Sequence, residues 1–417
     1  MLAPVYALFR VQLGKMLNPA AQEGDLLFPY LRNTDVQWDR INVDDLPLMN
    51  FSAVERKKFE LVAGDVLVCE GGEVGRAAIW NQQIENCYYQ KALHRVRPLR
   101  GSKGRYFYYL LVAAVHCGAF ESGNKSTIAH LTAEGLRQTR LPFPSVEIQA
   151  EVCRFLDQKT AAIDALIAKK ERLIELLQEK RQALITQAVT KGLDPKVPMK
   201  DSGIPTVGQV PRHWKVQRAK TLFAERNERS TTGDEELLTV SHLTGVTPRS
   251  EKEVYMFQAE THVGYKVCHP GDLAVNTMWA WMGALGAVPK LGIISYSYHC
   301  YRQTCQELLP EYFDKLFRTP AYVCEITRHS KGVWTSRLRL YPEAMLGLLV
   351  LVPPMEEQEA ILSFIDSSLE QDNSLENLCL ESVSKLREYR QALISAAVTG
   401  QLDISQEVAK EVEEEVH

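Results

Sequence analysis

Two stretches of the chain spell nearly the same sentence: KRQALITQAVTKGLD at Lys180–Asp194 and YRQALISAAVTGQLD at Tyr389–Asp403. A constant offset of 209 residues relates them, and it reaches well beyond them. It sets Pro144 opposite Pro353, Gln149 opposite Gln358, Phe155 opposite Phe364 and Asp157 opposite Asp366. Upstream the copies diverge, yet Gly64-Asp65-Val66-Leu67-Val68 answers Gly271-Asp272-Leu273-Ala274-Val275, and Val11-Gln12-Leu13 is paired with Val216-Gln217-Arg218. A period this long is a domain-sized duplication, not the short repeat of a solenoid. Each copy has a variable first part and a similar last part, as expected of a chain that touches its ligand twice.

The similar parts read as long helices. After Pro142 and Pro144, Ser145 can cap a helix whose first turn carries Glu147, a carboxylate suited to the positive helix terminus. Val152, Phe155, Leu156, Ile163, Leu166, Ile167, Leu173, Ile174, Leu177, Leu184 and Ile185 then recur at spacings of three, four and seven. Lys191 and Gly192 close the run. The second copy places Ile361, Phe364, Ile365, Leu369, Leu375, Leu378, Leu386 and Leu393 on a similar stripe. Some 43 residues at ~1.5 Å each make a rod of about 64 Å. One apolar stripe on such a rod needs a partner, and the other copy is the obvious one.

The variable parts read as mixed α/β, with β-rich runs at Asp65–Cys69, Ala77–Trp80 and Leu348–Val352 beside helical stretches at Gly104–His116 and Glu311–His329. Ser52-Ala53-Val54-Glu55 is a capping box. Pro195, Pro198, Gly203, Pro205, Gly208 and Pro211 mark a linker. The expected fold is therefore α+β in four segments: a head at 1–144, a helix and linker at 145–200, a second head at 201–352, and a helix with an acidic tail at 353–417.

Composition sets limits on function. With 417 residues, 45% hydrophobic and 24% charged, the chain has the profile of a soluble protein of two or more domains. It shows no apolar run of membrane-spanning length, and MLAPVYALFRVQLGKM lacks the pattern of a secretory signal. Nine cysteines without a CxxC read as free thiols in a reducing cytoplasm, with no disulfide framework or metal site. The formal net charge of −4 announces no polyanion binder, but its distribution is uneven. Cys87–Phe120 carries Lys91, Arg95, Arg97, Arg100, Lys103 and Arg105 with no Asp or Glu. Leu273–Gln306 is also free of acids, and Arg328, Lys331, Arg337 and Arg339 follow soon after.

Taken together these features resemble the specificity (S) subunit of type I restriction–modification systems. The resemblance rests on the Gly64 strand, Gly72-Glu73-Val74-Gly75-Arg76, Ser126-Thr127-Ile128-Ala129-His130-Leu131-Thr132, and Leu141-Pro142-Phe143-Pro144 with Ile148-Gln149. Gly203-Ile204-Pro205 through Pro211-Arg212-His213-Trp214-Lys215-Val216 is also similar to the family's linker. Two departures stand out. Val11 lacks the lead that precedes Val216, and Lys331-Gly332-Val333-Trp334-Thr335-Ser336-Arg337 replaces the Ser-Thr-Ile-x-His motif in the second half.

The resemblance implies two target-recognition domains, each reading one half-site of double-stranded DNA, held apart by an antiparallel helical coiled coil that acts as a ruler. It implies no catalysis by this chain. Two modification subunits with S-adenosylmethionine, and restriction (translocase) subunits using ATP and Mg2+, would be its partners in the cytoplasm, with no membrane involved. Candidate DNA contacts are Arg76, Lys91, Arg95, Asn124, Lys125, Ser126 and Thr127 in the first head, and Arg328, Lys331, Trp334 and Arg337 in the second. For Trp279, Trp281 and Trp334 a place in the core is the stronger expectation from residue type. Helix packing is expected at Phe155, Ile163, Leu166, Leu173, Leu177, Leu184, Phe364, Leu375, Leu386 and Leu393.

An enzyme would need other motifs. Pro353-Pro354, flanked by Val352 and Met355, is not the base-holding motif of an adenine methyltransferase. Gly118 to Ser126 approaches a phosphate-binding loop, but Asn124 occupies the lysine position. The histidines lie too far apart in sequence to suggest a metal centre. The alternative to a restriction role is a helical scaffold or another two-headed nucleic-acid-binding protein.

Overall fold

A computed structural model describes residues 2–17, 26–120, 130–251, 261–334 and 337–407. It forms two compact units, Met1–Glu171 with Leu380–His417, and Arg172–Cys379. Compactness thus divides the chain differently from the four sequence segments, because the start and the end of each long helix fall in different units. The helices Val146–Lys191 and Met355–Thr399 are both cut by the boundary, so each unit owns one head, the start of one helix and the end of the other.

The duplication is explicit in the strands. In the first unit a four-stranded antiparallel sheet runs in the order Phe9–Leu13, Leu93–Pro98, Val66–Cys69, Ala77–Ile79. In the second the order is Phe223–Arg226, His299–Gln303, Leu273–Val275, Leu285–Ala287. Alternate residues of a strand face opposite ways, and Val66 and Val68 enter one core while Leu67 and Cys69 enter another. Leu273 and Val275 likewise separate from Ala274. An uninterrupted apolar run is therefore required at this strand, since both of its faces are covered.

A buried carboxylate steadies each copy of that strand. Asp65 receives a two-pronged bond from Arg97 at 2.6 and 2.7 Å, and Asp272 receives one from Arg302 at 2.9 and 3.0 Å. Each also accepts a backbone N–H three residues upstream, from Val62 and His269. Arg97 and Arg302 are thereby spent on the fold, and the hydrogen bond to the Asp65 carboxylate holds the Arg97 pKa above its usual value.

The expected pairing of Val11-Gln12-Leu13 with Val216-Gln217-Arg218 is not what the strands show. Lys215–Arg218 pairs with Leu349–Val352, and its counterpart is Leu2–Pro4, which pairs with Arg140–Pro142. The Val5 N–H donates to Thr139 and the Ala219 N–H to Leu348, at the same place in each copy. Phe9 then answers Phe223, one strand on. Short strands with few shared residues gave the sequence comparison nothing to hold at this end.

Local expectations mostly hold. Ser52 and Glu55 form a reciprocal cap, and the first long helix ends at Lys191 with Gly192 at φ 76°. The expected helix at Glu311–His329 is two, Pro310–Phe317 and Pro320–His329. Pro320 brings no N–H to continue the first, and Thr319 caps the second through its hydroxyl. The linker contains a hairpin of Met199–Asp201 with Gln209–Pro211.

Helix packing is antiparallel within each unit, but not through every expected residue. Arg390 forks onto Asp164 at 2.8 and 3.1 Å, and Arg387 reaches Glu171 at 2.7 Å. In the other unit Lys180 meets Asp372, and Gln178 meets Glu376, both at 2.8 Å. Phe155, Ile163, Leu177 and Leu393 are buried, and Leu184 and Leu386 pack at the edge of the cores. Leu166, Leu173, Phe364 and Leu375 are instead exposed by 38–43%. Two helices in contact bury a narrow seam, and the broad stripe read from the sequence overran it.

The repeated sentence finds its use here. Ala188 and Val189 sink into the second unit's core, and Ile394, Ala397 and Val398 into the first unit's. The last carbonyls of a helix have no partner within it. Tyr312 donates its hydroxyl to the Val189 carbonyl at 2.9 Å, and Tyr106 does the same for Val398 at 3.2 Å. At each helix start a buried glutamine side chain joins the head. Gln149 accepts from the Lys103 N–H and donates to Pro144, and Gln358 accepts from the Leu309 N–H and donates to Pro353. Replacing Tyr312 by Phe strands a buried carbonyl, which costs about 1–3 kcal/mol. Urea denaturation is expected to show that loss for Tyr312→Phe and a comparable one for Tyr106→Phe.

Candidate nucleic-acid interface

In each unit the hairpin following the buried strand presents a loop, and the helix after it approaches from behind. The loop at Glu70–Arg76 turns through Gly75 at φ 84°, where a Cβ would sit 2.7 Å from Val115 Cγ2. The corresponding loop at Asn276–Ala284 turns through Gly283 at φ 91°, with Val323 Cγ2 at 3.1 Å from such a Cβ. Both positions combine a left-handed backbone with a close neighbour, so glycine is required twice over.

The first-unit candidates are dispersed. Arg76 is not a free surface cation: it donates to the Asn33 carbonyl at 3.0 Å and lies 3.5 Å from Glu73. Asn33 in turn donates to Gly71, so Arg76 braces the loop from inside. Arg95 is overturned as a surface contact. It is 3% exposed, donates to the Glu60 carbonyl and lies over the Tyr89 ring. Lys91 is exposed and remains a candidate. Asn124, Lys125, Ser126 and Thr127 lie outside the described residues. Their segment is flanked by firm contacts, since the Leu131 N–H donates to Glu70 and its carbonyl meets His94.

The second-unit candidates converge. Arg328 lies in the last turn of its helix, paired with Glu325 at 3.0 Å, and the loop beyond it closes where Lys331 and Arg339 exchange backbone hydrogen bonds. Lys331, Trp334 and Arg337 are exposed on that loop. The Leu340 N–H donates to Thr277, and the Thr327 hydroxyl to the Trp281 carbonyl at 3.1 Å, which ties this loop to the hairpin loop. The expectation of core tryptophans is overturned for two of the three: Trp279 is 47% and Trp334 68% exposed. Trp281 is half-buried. Residue type alone could not separate them from Trp80 and Trp214, which are fully buried.

His94 links this geometry to pH. Its Nε2 lies 2.6 Å from the Leu131 carbonyl, an acceptor, so Nε2 carries the proton of the neutral ring. Nδ1 is buried without a partner among the described residues, and a second proton there would have no acceptor. Burial outweighs that hydrogen bond and lowers the His94 pKa. The unfolded chain takes up its proton near pH ~6.5, before the native one does. The stability from neutral His94 is full above that pH and lost as the pH falls toward the depressed native value. Between pH 7.5 and 5.5 the urea midpoint is expected to fall further in the wild type than in His94→Gln.

Comparison with known proteins follows the same lines. Residues 8–176 match the type I restriction modification DNA specificity domain. The EcoBI specificity subunit of Escherichia coli is 32% identical over 87 residues, which are 21% of this chain and 18% of that protein. The chain therefore matches under a fifth of that relative's length. A solved chain from work on complex assembly and conformational transition of the type I R-M system overlaps 96% of this chain and 98% of its own, with a TM-score of 0.63 at 16% identity. The HsdS subunit of Thermoanaerobacter tengcongensis covers 96% and 97% at a TM-score of 0.48 and 13% identity. Likeness in sequence over residues 8–176, and in fold over nearly the whole length, meets the resemblance drawn from the motifs: residues 8–176 carry a type I restriction modification DNA specificity domain.

Proposed function

We propose that this chain reads a bipartite target in double-stranded DNA, one half-site for each head, and carries out no chemistry itself. The observation that carries this reading is the repeated strand order, with one hairpin loop presented from each copy. Two similar platforms bearing different loops suit two different half-sites. The long helices, of 46 and 45 residues or about 69 and 68 Å, are the ruler of this reading. Two modification subunits, binding S-adenosylmethionine, would dock on two similar surfaces, and restriction subunits using ATP and Mg2+ would join them.

Methylation mapping of the host with and without this chain tests the reading: loss of a bipartite motif supports it, and an unchanged methylome counts against it. The surface cations supply a finer test. Lys331→Ala or Arg337→Ala should weaken DNA binding. A phosphate contact lowers the salt slope by about one, and a base contact relaxes one position by ~1–3 kcal/mol. Arg95→Ala should leave the slope alone and lower the melting temperature, as expected for a buried cation.

The ruler can be lengthened. Four residues inserted beside Lys170 and four beside Cys379 extend both helices by ~6 Å, nearly one full turn, so the seam returns close to its register. At about 3.4 Å per base pair this is just under two steps of B-DNA. The variant complex is expected to methylate the same half-sites in a randomised-spacer library with a gap longer by one or two. An active variant that keeps the original gap shows that something else sets the distance.

A further inference from the structure

Beside the basic loop of the second unit stands an aromatic ladder that the corresponding loop of the first unit lacks. Trp279 lies nearly parallel to His242 and to Trp281, with interplanar angles of 14° and ring centroids 6.3 Å apart in both pairs. The ladder is built to keep its orientation. Trp281 Nε1 donates to the Met278 carbonyl at 3.0 Å, and the Met278 N–H donates to Asn276. Asn276 is buried, and its amide donates to the Val240 carbonyl and the Tyr298 hydroxyl. The corresponding first-unit loop, Glu70 to Arg76, contains no aromatic residue.

An indole gains by burial, so Trp279, parallel to two neighbouring rings and still 47% exposed, offers an open face to a ligand. The neighbours indicate the ligand's chemistry. Leu273–Gln306 contains no acid, and exposed Lys331, Arg337 and Trp334 stand on the loop hydrogen-bonded to this one. Flat π faces beside cations suit a group that is both planar and attached to an anionic backbone.

We infer that the ladder of His242, Trp279 and Trp281 stacks on a nucleobase exposed at a distorted or unpaired step of the DNA. The second head then recognises its half-site partly through deformability. This rests on the DNA-binding reading above.

The full chain is titrated with a fluorescein-labelled duplex of mixed sequence, and with the same duplex carrying one unpaired thymidine. The wild type is expected to bind the bulged duplex about tenfold more tightly, the scale of one base–aromatic stack. Trp279→Ala should lose that preference, and Trp279→Phe, which keeps a π face, should retain most of it. Lys331→Ala should weaken both complexes alike. A wild type with no preference, or Trp279→Ala with an unchanged one, overturns the ladder's role while leaving DNA binding intact. Failure of the wild type to bind either duplex at low salt overturns the DNA reading, and this inference with it.

Discussion

Everything in this fold depends on how two very long helices end. A helix leaves its last carbonyls unbonded, and a single apolar stripe leaves one flank facing water. Here both needs are met by the heads. Tyr106 and Tyr312 take up a terminal carbonyl each, and the aliphatic residues of the repeated sentence fill the surrounding core. The identical wording at Arg181–Ile185 and Arg390–Ile394, with Ala-Val-Thr after each, reflects a common receptor surface in the two heads. The repetition is thus structural before it is functional. Whatever the heads bind, their attachment to the helices had to be solved in the same way twice.

This explains which parts were legible. The duplication, the capping box at Ser52 and the stop at Gly192 rest on local chemistry or on exact repetition, and the structure reproduces them. The packing seam was less legible because helical periodicity identifies a face, not how much of it a partner covers. Leu166 and Phe364 satisfy the period and still reach solvent. The start of each head was misaligned for a related reason. Strands of three or four residues carry little sequence signal, and their equivalence appears only through partners far along the chain, Arg140–Pro142 and Leu349–Val352.

Charge was the least reliable guide. The acid-free stretch after Cys87 looked like a cationic face, yet its arginines meet carboxylates that lie elsewhere in sequence. Arg97 is held by Asp65, and Arg105 by Asp39 and Asp157. Arg95 is buried beneath Glu60 and Tyr89. Sequence separation says little about a strand's cross-sheet neighbours. In the second basic cluster Lys331 and Arg337 stayed at the surface, exposed on a loop outside the sheet.

A division of labour follows within each head. The duplicated features, namely the two-pronged Arg–Asp contacts, the buried glutamines and the glycines at the loop turns, all fix backbone positions. The features that differ are carried on the loops those positions hold: Glu73 and Arg76 in one copy, Trp279 and Trp281 in the other. A loop can exchange Gly-Glu-Val for a tryptophan pair without disturbing the sheet, because its ends are fixed by the strands and its turn by one left-handed glycine. Duplicated scaffolds can therefore hold unlike surfaces, and two unlike surfaces distinguish the ends of a target that two identical ones would leave equivalent.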